Sequence, residues 1–203
     1  MYRISDSQKY LSPEEILKGY SKGIFPMGDS ENGISWFEAD PRAIVLLPPY
    51  SETINISRSL KQVLQKNIFK IRIDISFEEV IKRCAKRNDT WINKIIIENY
   101  TKLHKLGYAH SVEAWSRGKL AGGLYGVALN GAFFGESMFH EMDNASKVCV
   151  VSLYNILLKN KFILFDIQMS TPVFESFGAV HISKEDYLML LKKAMSAKRK
   201  FVL

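Results

Sequence analysis

Apolar runs with strand-like alternation in residues 120–139 predict a central antiparallel β-hairpin. Asn130-Gly131 separates two apolar runs there, which is the strongest short-range signal for a two-residue hairpin turn. A glycine inside a strand weakens packing and costs backbone entropy, so glycines here indicate bulges or the close approach of a ligand. Four of them interrupt the two predicted strands: Gly122, Gly123, Gly126 and Gly135.

The same alternation places polar side chains among large apolar ones. On the second strand of the hairpin it puts Phe134, Glu136 and Met138 on one face. A later, very apolar strand ends with Asp166 and Gln168 side by side. Polar groups in such positions are costly unless they have hydrogen-bond partners or a function. A satisfied buried network and a functional site both explain the pair, and the nearby pattern around Glu136 favours the functional interpretation.

Helix and turn signals surround the hairpin and define the predicted fold class. Capping boxes that begin at Ser12 and Ser76 each start a helix. Pro48-Pro49 ends a short strand and is the predicted domain boundary. Helices and short strands around an antiparallel hairpin are typical of an α+β sheet domain. The sequence therefore predicts a small N-terminal unit over residues 1–50 and a sheet domain over residues 51–203.

Composition narrows the class of protein. Of the 203 residues, 47% are hydrophobic and 24% charged, which indicates a soluble globular chain with a real core. No apolar run approaches the roughly 20 residues that span a bilayer, and the first residues lack the apolar stretch of a signal peptide. Cys84 and Cys149 lie far apart without metal-ligand spacing, so we expect reduced cysteines in a cytoplasmic protein. The formal charge of +7 favours an anionic partner.

Two features suggest contact with nucleic acid, and each has an ordinary alternative. The helix that begins after Ser57 carries Arg58 and Lys61 on its exposed side, where they either bind phosphate or form a solvated face. Trp91 follows the polar stretch Arg87-Asn88-Asp89. It is either a core residue or a platform on which a base stacks.

With these motifs in view, the sequence resembles the leucyl/phenylalanyl-tRNA–protein transferases, a family of bacterial enzymes. The resemblance covers nearly the whole chain from Leu11 onward and follows the family's order. Ten blocks carry it: Gly23-Ile-Phe-Pro-Met27, Trp36-Phe-Glu-Ala-Asp-Pro-Arg42, Ser57-Arg-Ser-Leu60, Thr90-Trp-Ile92, Leu103-His-Lys-Leu-Gly-Tyr-Ala-His-Ser-Val-Glu113, Gly122-Gly-Leu-Tyr-Gly-Val-Ala128, Gly135-Glu-Ser-Met-Phe139, Asn144-Ala-Ser-Lys147, Asp166-Ile-Gln168 and Ser176-Phe-Gly-Ala179.

The resemblance implies a fold and an activity. The fold would be a small N-terminal α/β domain followed by an acetyltransferase (GNAT)-like mixed α/β domain. The enzyme would move Leu or Phe, and Met less well, from aminoacyl-tRNA to the α-amine of proteins that begin with Lys or Arg. That peptide bond creates an N-degron, the N-end rule signal for protein degradation. Its partners would be Leu-tRNA, Phe-tRNA and these acceptor proteins, with no membrane, no DNA and a monomeric state. Because the aminoacyl ester is already activated, neither a metal nor a cofactor is expected.

The resemblance also assigns roles to the polar residues found by alternation. The side-chain carbonyl of Gln168 would draw the proton from the attacking amine. Asp166 would orient Gln168 and favour the developing positive charge, and Glu136 would fix the aminoacyl end or Gln168. Carboxylates near the cationic acceptor also make sense for its recognition. The separate roles of Asp166 and Glu136 stay open.

The remaining site residues are likewise implied by the resemblance. Trp91 would stack on the terminal adenine, and Arg58 and Lys61 would hold the acceptor stem of the tRNA. Alternation puts Phe133 opposite Glu136 unless a bulge intervenes. The donor side chain would lie in an apolar pocket formed by Leu124, Phe133, Gly135, Met138, Leu153 and Phe165.

Some positions depart from the family pattern. A residue that is often Cys is Ile167 here, and it is expected to face away from Asp166 and Gln168. A frequent histidine is Val173, which argues against an essential base there. The other departures are Met27 for a tryptophan and Gln62 and Gln65 for basic residues.

Two other functions compete with transfer. A binding module of the same fold could bind aminoacyl-tRNA or N-terminal peptides without transfer. The presence of Asp166, Gln168 and Glu136 together argues against this alternative. An acyl-CoA-dependent N-acyltransferase would normally carry a Gln/Arg-x-x-Gly-x-Gly/Ala loop for the pyrophosphate. The sequence contains no such loop.

Overall fold

A computed structural model describes residues 1–87 and 90–202 of the chain. Asn88 and Asp89, from the polar stretch before Trp91, lie outside the described residues. The strands are β1 (Tyr2–Arg3), β2 (Phe25–Gly28), β3 (Ile34–Glu38), β4 (Arg42–Val45), β5 (Lys70–Ile73), β6 (Ala109–Ser116), β7 (Lys119–Leu129), β8 (Ala132–His140), β9 (Leu164–Gln168) and β10 (Val180–Ile182). The helices are α1 (Pro13–Ser21), α2 (Arg58–Gln65), α3 (Phe77–Cys84), α4 (Lys94–Lys105), α5 (Ala145–Lys159), α6 (Pro172–Ser176) and α7 (Lys184–Ser196).

Two sheets organise these elements. A seven-stranded sheet has the order β10-β4-β9-β8-β7-β6-β5, and a three-stranded sheet has the order β1-β3-β2. In the large sheet, β8 and β9 pair in parallel, while the other described pairs are antiparallel. The parallel pair requires a crossover, which α5 provides. The chain is therefore a mixed α/β fold with an N-terminal domain, as the sequence predicts.

Helices cover both faces of the large sheet. One apolar core contains residues of α1, α3, α4 and α7, such as Ile16, Val80, Leu103 and Leu191. The second core contains residues of α2 and α5, with Leu60 as the buried residue of α2. Polar side chains of the inner strands, such as Glu113 and Asp166, are consequently buried.

The hairpin predicted at the centre of the sequence is confirmed. Leu129 pairs with Ala132, so Asn130 and Gly131 form a two-residue turn, and Asn130 has a φ of 52°. Asn and Gly are the residues that tolerate such positive φ values in these turns.

A bulge in β8 changes which face its side chains occupy. Gly126 pairs with Gly135 and Tyr125 pairs with Ser137, which leaves Glu136 without a partner across the strand. An extra residue of this kind reverses the alternation beyond it. The prediction that Met138 shares a face with Phe134 and Glu136 is therefore wrong: Phe134 lies in the first core and Met138 packs against the second.

The two predicted capping boxes have different outcomes. Ser12 forms one, because its Oγ accepts from the Glu15 amide at 3.2 Å and its own amide donates to Glu15 Oε2 at 2.8 Å. Ser76 makes no side-chain cap, and its amide instead donates to the buried carboxylate of Glu113 at 2.6 Å. The carboxylate of Glu113, 37 residues away, thus takes the place that the capping box would give to Glu79.

Strand β4 belongs to the first predicted domain in sequence but to the sheet of the second domain in three dimensions. Although it precedes Pro48-Pro49, it lies between β9 and β10 in the large sheet. The division into residues 1–50 and 51–203 stays a prediction, and β4 of the first unit contributes a strand to the sheet of the second. In the part of the chain that the structure describes, no helix has the length and apolar composition needed to cross a membrane.

Candidate active site

A gap in the large sheet creates the main cavity. The parallel strands β8 and β9 pair from Ala132 with Leu164 to Phe134 with Asp166, and there the pairing ends although both strands continue. A cavity of about 310 Å³ is lined by the unpaired parts of both strands. A Cβ atom on Gly135 would come 3.2 Å from the ring of Phe165, so the missing side chain helps to keep the gap open.

One wall of the cavity is apolar and contains five of the six residues predicted for the donor pocket. These are Leu124, Gly135, Met138, Leu153 and Phe165. Ile167, which the sequence predicts to face away from Asp166 and Gln168, also lines the cavity. Phe174 and Met169 complete the apolar lining on the side of the loop after β9.

The structure places Phe133 outside this cavity. It lies where β8 is still paired with β9, opposite Phe165, and its side chain is fully buried. Its ring packs edge-on against Phe165 at 5.9 Å and stacks on Phe201 at 5.5 Å. Phe133 therefore supports the pocket wall from behind.

Gln168 ends β9 with a left-handed backbone and borders the cavity. Its φ is 54°, a conformation that is uncommon for a residue other than glycine. Its amide donates to Asp166 Oδ1 at 2.8 Å. This bond holds the strand end in the conformation that presents the Gln168 side chain to the cavity.

The side-chain amide of Gln168 fits the site in two orientations related by a half-turn. In one, Nε2 donates to Glu136 Oε1 at 3.3 Å. In the other, Nε2 donates to the carbonyl oxygens of Ile167 at 3.0 Å and Gly135 at 2.9 Å, and Oε1 faces Glu136. The second orientation gives the nitrogen two good acceptors, and it requires a proton on Glu136 to bridge the two oxygens.

The environment of Glu136 favours that proton. Burial raises the pKa of Glu136 to about 8, while its hydrogen bond with Tyr20 acts in the opposite direction. The Tyr20 hydroxyl donates to Oε1, and the Tyr100 hydroxyl, which is hydrogen-bonded to that of Tyr20, lies 3.5 Å from Oε2. At neutral pH Glu136 is therefore mostly uncharged and can donate to Gln168 Oε1.

Asp166 is enclosed on all sides by donors. Arg42 binds it with two nitrogens, Nε to Oδ1 at 2.9 Å and Nη2 to Oδ2 at 2.7 Å. The Tyr187 hydroxyl donates to Oδ2 at 2.8 Å, and the Gln168 amide takes a second position on Oδ1. Both members of the ion pair are buried, and neither lines the cavity. Asp166 thus contacts the backbone of Gln168 and offers no free oxygen to a cationic acceptor.

The residues predicted to bind tRNA lie in two separate places. Trp91 lines the cavity and also packs partly against the first core. Arg58 and Lys61 are exposed on α2, which packs through Leu60 against the second core. The structure does not bring these two side chains into the cavity.

Several polar residues of the site are not recognised from the sequence. In the sequence, Arg42 is a charged residue at the start of the apolar strand 43–47. A charge that is buried with such a strand needs a counter-ion. Tyr20, Tyr100 and Tyr187 resemble ordinary core aromatics, and nothing local identifies their carboxylate partners. The hydroxyls of Tyr125 and Ser170, both from cavity-lining residues, are buried without a partner among the described residues.

The other departures from the family pattern lie in three different places. Met27 lines the cavity, as does Phe25, whereas Val173 packs against the second core. Gln62 and Gln65 lie on α2 with Arg58 and Lys61. Among the described residues, no three His, Cys, Asp or Glu side chains form a group that could hold a metal ion.

Comparison with known proteins extends over nearly the whole chain. The family profile described as "Leucyl/phenylalanyl-tRNA protein transferase" matches residues 46–192, and the profile of that family's N-terminal domain matches residues 10–40. A leucyl/phenylalanyl-tRNA–protein transferase of Herpetosiphon aurantiacus is 44% identical over 193 residues, covering 95% of this chain and 99% of the relative.

Other relatives with the same name match equally well. The protein of Rubrobacter xylanophilus is 44% identical over 192 residues, covering 94% of this chain and 98% of the relative. That of Chlorobaculum parvum is 45% identical over 197 residues, covering 95% of this chain and all of the relative. The chain therefore belongs to the leucyl/phenylalanyl-tRNA protein transferase family and is a transferase.

Proposed function

We propose that this protein transfers Leu or Phe, and Met less well, from aminoacyl-tRNA to the α-amine of proteins that begin with Lys or Arg. The amine attacks the ester carbonyl carbon, the bond from that carbon to the ribose oxygen breaks, and the ribose oxygen takes up a proton. The product is an N-degron that marks the acceptor for degradation in the cytoplasm. The enzyme acts as a monomer.

One observation carries this function: the cavity between β8 and β9 joins an apolar pocket to the side chains of Gln168 and Glu136. A donor with an apolar side chain and a reactive ester needs both parts within a few ångströms of each other. Holding ester and amine in reactive geometry is in itself a large catalytic effect. The acetyltransferase-like architecture is part of the proposal, and the parallel pair β8–β9 with its crossover helix α5 supports it.

Gln168 accepts a hydrogen bond from the attacking amine and draws away its proton. A free α-amine has a pKa of about 8, so a minority of acceptor molecules is uncharged at neutral pH. The Gln168 carbonyl oxygen has two lone pairs. Protonated Glu136 occupies one, and the other accepts a hydrogen bond from the amine as it attacks.

The two carboxyl groups then have distinct roles. Glu136 fixes the side-chain amide of Gln168, and Asp166 fixes its backbone through the 2.8 Å bond to the Gln168 amide. Such a division follows from environment: Glu136 is half-buried and has no cation among its hydrogen-bond partners, whereas the fully buried Asp166 is bound by Arg42.

The apolar wall selects the donor amino acid. Burial of a Leu or Phe side chain contributes roughly 1.5–3 kcal/mol. Because one methylene discriminates by only about 1–3 kcal/mol, the preference among Leu, Phe and Met is graded. Leu124, Met138 and Leu153 supply the wall, and Phe133 supports it from behind.

Contacts with the tRNA involve residues other than those of the apolar wall. Trp91, at the cavity edge, stacks on the terminal adenine, and Arg58 and Lys61 on α2 bind the acceptor stem. Double-helical RNA presents mainly its backbone to proteins. These contacts are therefore sensitive to salt and tolerant of tRNA sequence.

The test is transfer of radiolabelled Leu from charged tRNA to a peptide that begins with Arg. We expect label on this peptide, no label on the same peptide with an acetylated N-terminus, and loss of label after ribonuclease treatment. A peptide that begins with Ala serves as the specificity control. Ribonuclease-resistant acylation that consumes CoA thioesters would contradict the proposed function.

A further inference from the structure

The guanidinium of Arg42 is bound on every side within the protein. Besides its two bonds to Asp166, Nη1 donates to the carbonyl oxygen of Gly23 at 2.9 Å. The group lies 4.4 Å from the centre of the Tyr187 ring and 5.0 Å from that of Phe25. Such a planar fork with two aromatic neighbours leaves the side chain a single arrangement.

A continuous chain of hydrogen bonds runs from this arginine to the end of β9. Arg42 fixes the plane of the Asp166 carboxylate, and Asp166 Oδ1 accepts from the Gln168 amide at 2.8 Å. That bond acts on a residue whose φ of 54° needs support from its surroundings. The position of Gln168 thus depends on a guanidinium that never touches the cavity.

We propose that Arg42 is a positioning residue for aminoacyl transfer, which acts through Asp166 on the backbone of Gln168. Its effect on the reaction is exerted entirely through the Gln168 side chain. This inference rests on the proposed role of Gln168 in the transfer reaction.

The N-terminal unit contributes to this chain of bonds. Gly23 follows α1, and its φ of 81° together with a Cβ position 2.8 Å from the Tyr187 ring makes a side chain there unfavourable. Arg42 of β4 and Tyr187 of α7 both bind the Asp166 carboxylate, and the carbonyl oxygen of Gly23 accepts from Arg42. Segments distant in sequence therefore hold the single residue Gln168 in place.

Arg42→Lys keeps the positive charge and removes the fork, so it disturbs the position of Asp166 more than its ionisation. We expect kcat to fall by about 10- to 100-fold, since a misplacement of about 1 Å has effects of this size. The KM values for charged tRNA and for the Arg peptide should change by no more than about twofold, because Arg42 does not line the cavity. Arg83→Lys is the matched control, because Arg83, like Arg42, binds carboxylate groups and a backbone carbonyl (those of Glu79, Glu141 and Leu120) but lies on α3 outside the cavity.

A double-mutant cycle with Gln168→Ala separates positioning from a general structural role. The proposal predicts that Arg42→Lys lowers kcat in the wild type and has no further effect in the Gln168→Ala background. If Arg42→Lys does not fold, the neutral pair Arg42→Met with Asp166→Asn replaces it, with the same expectation. Losses that multiply in the double variant, or a loss confined to the thermal midpoint and KM, would overturn the inference.

The same assays separate this inference from the proposed function. Transfer by the wild type with independent effects of Arg42 and Gln168 would overturn the inference alone. Absence of tRNA-dependent transfer by the wild type would overturn the proposed function and this inference with it.

Discussion

Two carboxyl groups contact Gln168 from different directions, and they lie in different electrostatic surroundings. Asp166 is held in an ion pair with Arg42. Glu136 has the phenols of Tyr20 and Tyr100 beside it, and burial raises its pKa to about 8. A neutral carboxylic acid can donate a hydrogen bond to a carbonyl oxygen, whereas a carboxylate can only accept. The orientation of the Gln168 amide is therefore tied to the protonation of Glu136.

Glu136→Gln tests this charge state through stability. Because the folded protein holds the proton of Glu136 up to a pH of about 8, while the unfolded chain releases it near 4.5, the wild type loses stability as pH rises through this window. Relative to Glu136→Gln, its free energy of unfolding should fall by at most about 1.4 kcal/mol per pH unit and level off above the window. Urea unfolding from pH 4 to pH 9 measures this difference. Glu98→Gln on the exposed face of α4 is the control, and parallel curves for wild type and Glu136→Gln would contradict the assignment.

Sequence alone identifies Gln168, Asp166 and Glu136 as unusual, because a polar residue in an apolar strand is visible in the alternation. It does not identify what binds them. Arg42 and Tyr187 are 124 and 21 residues from Asp166, and Tyr20 is 116 residues from Glu136. Such contacts depend on the order of strands in the sheet, which local patterns do not encode.

At the scale of elements, the site depends on the point where β8 and β9 stop pairing. Phe134 pairs with Asp166, and beyond them Gly135 and the bulge at Glu136 lead β8 away from its neighbour. The glycines of the hairpin correctly indicate a bulge, but not which strand carries it. Alternation read without that bulge puts Met138 on the wrong face.

Gly135→Ala tests the gap itself. The added Cβ would lie 3.2 Å from the Phe165 ring and would narrow the pocket. We expect kcat/KM for Phe-tRNA to fall by about tenfold and that for Leu-tRNA to fall less, since a pocket change of one methyl group has effects of this size. Competition between the two charged tRNAs measures the ratio directly. Equal transfer of both donors with wild-type efficiency would show that the donor side chain lies elsewhere.

Helix α2 carries the second element-scale prediction. If Arg58 and Lys61 bind phosphates, replacing both by Ala should reduce the slope of log kcat/KM against log salt by about 1 to 2. The loss of efficiency should be similar for tRNAs of different sequence. Lys102→Ala with Lys105→Ala on α4 removes the same charge as a control. An unchanged slope would exclude α2 from the tRNA contact.

At the scale of the whole molecule, segments from both ends of the chain meet at the end of β9. Gly23 follows α1, Arg42 begins β4, and Tyr187 lies on α7. The order of helices and strands predicts the mixed α/β class, and the proline pair predicts a boundary in sequence. The position of β4 inside the large sheet follows from its pairing with β9 and β10, which the proline pair does not indicate.

The single-turnover rate of transfer from Phe-tRNA to an Arg peptide, compared between wild type and Gln168→Ala, tests the central claim most directly. With donor and acceptor both saturating, we expect the rate to fall by about 100-fold, in the range of a lost proton-transfer contact, while the affinity for Phe-tRNA stays within about threefold. Ser176→Ala, an exposed substitution on the nearby α6, should keep the wild-type rate. A Gln168→Ala variant that transfers Phe at the wild-type rate would contradict the assignment of the active site to the end of β9.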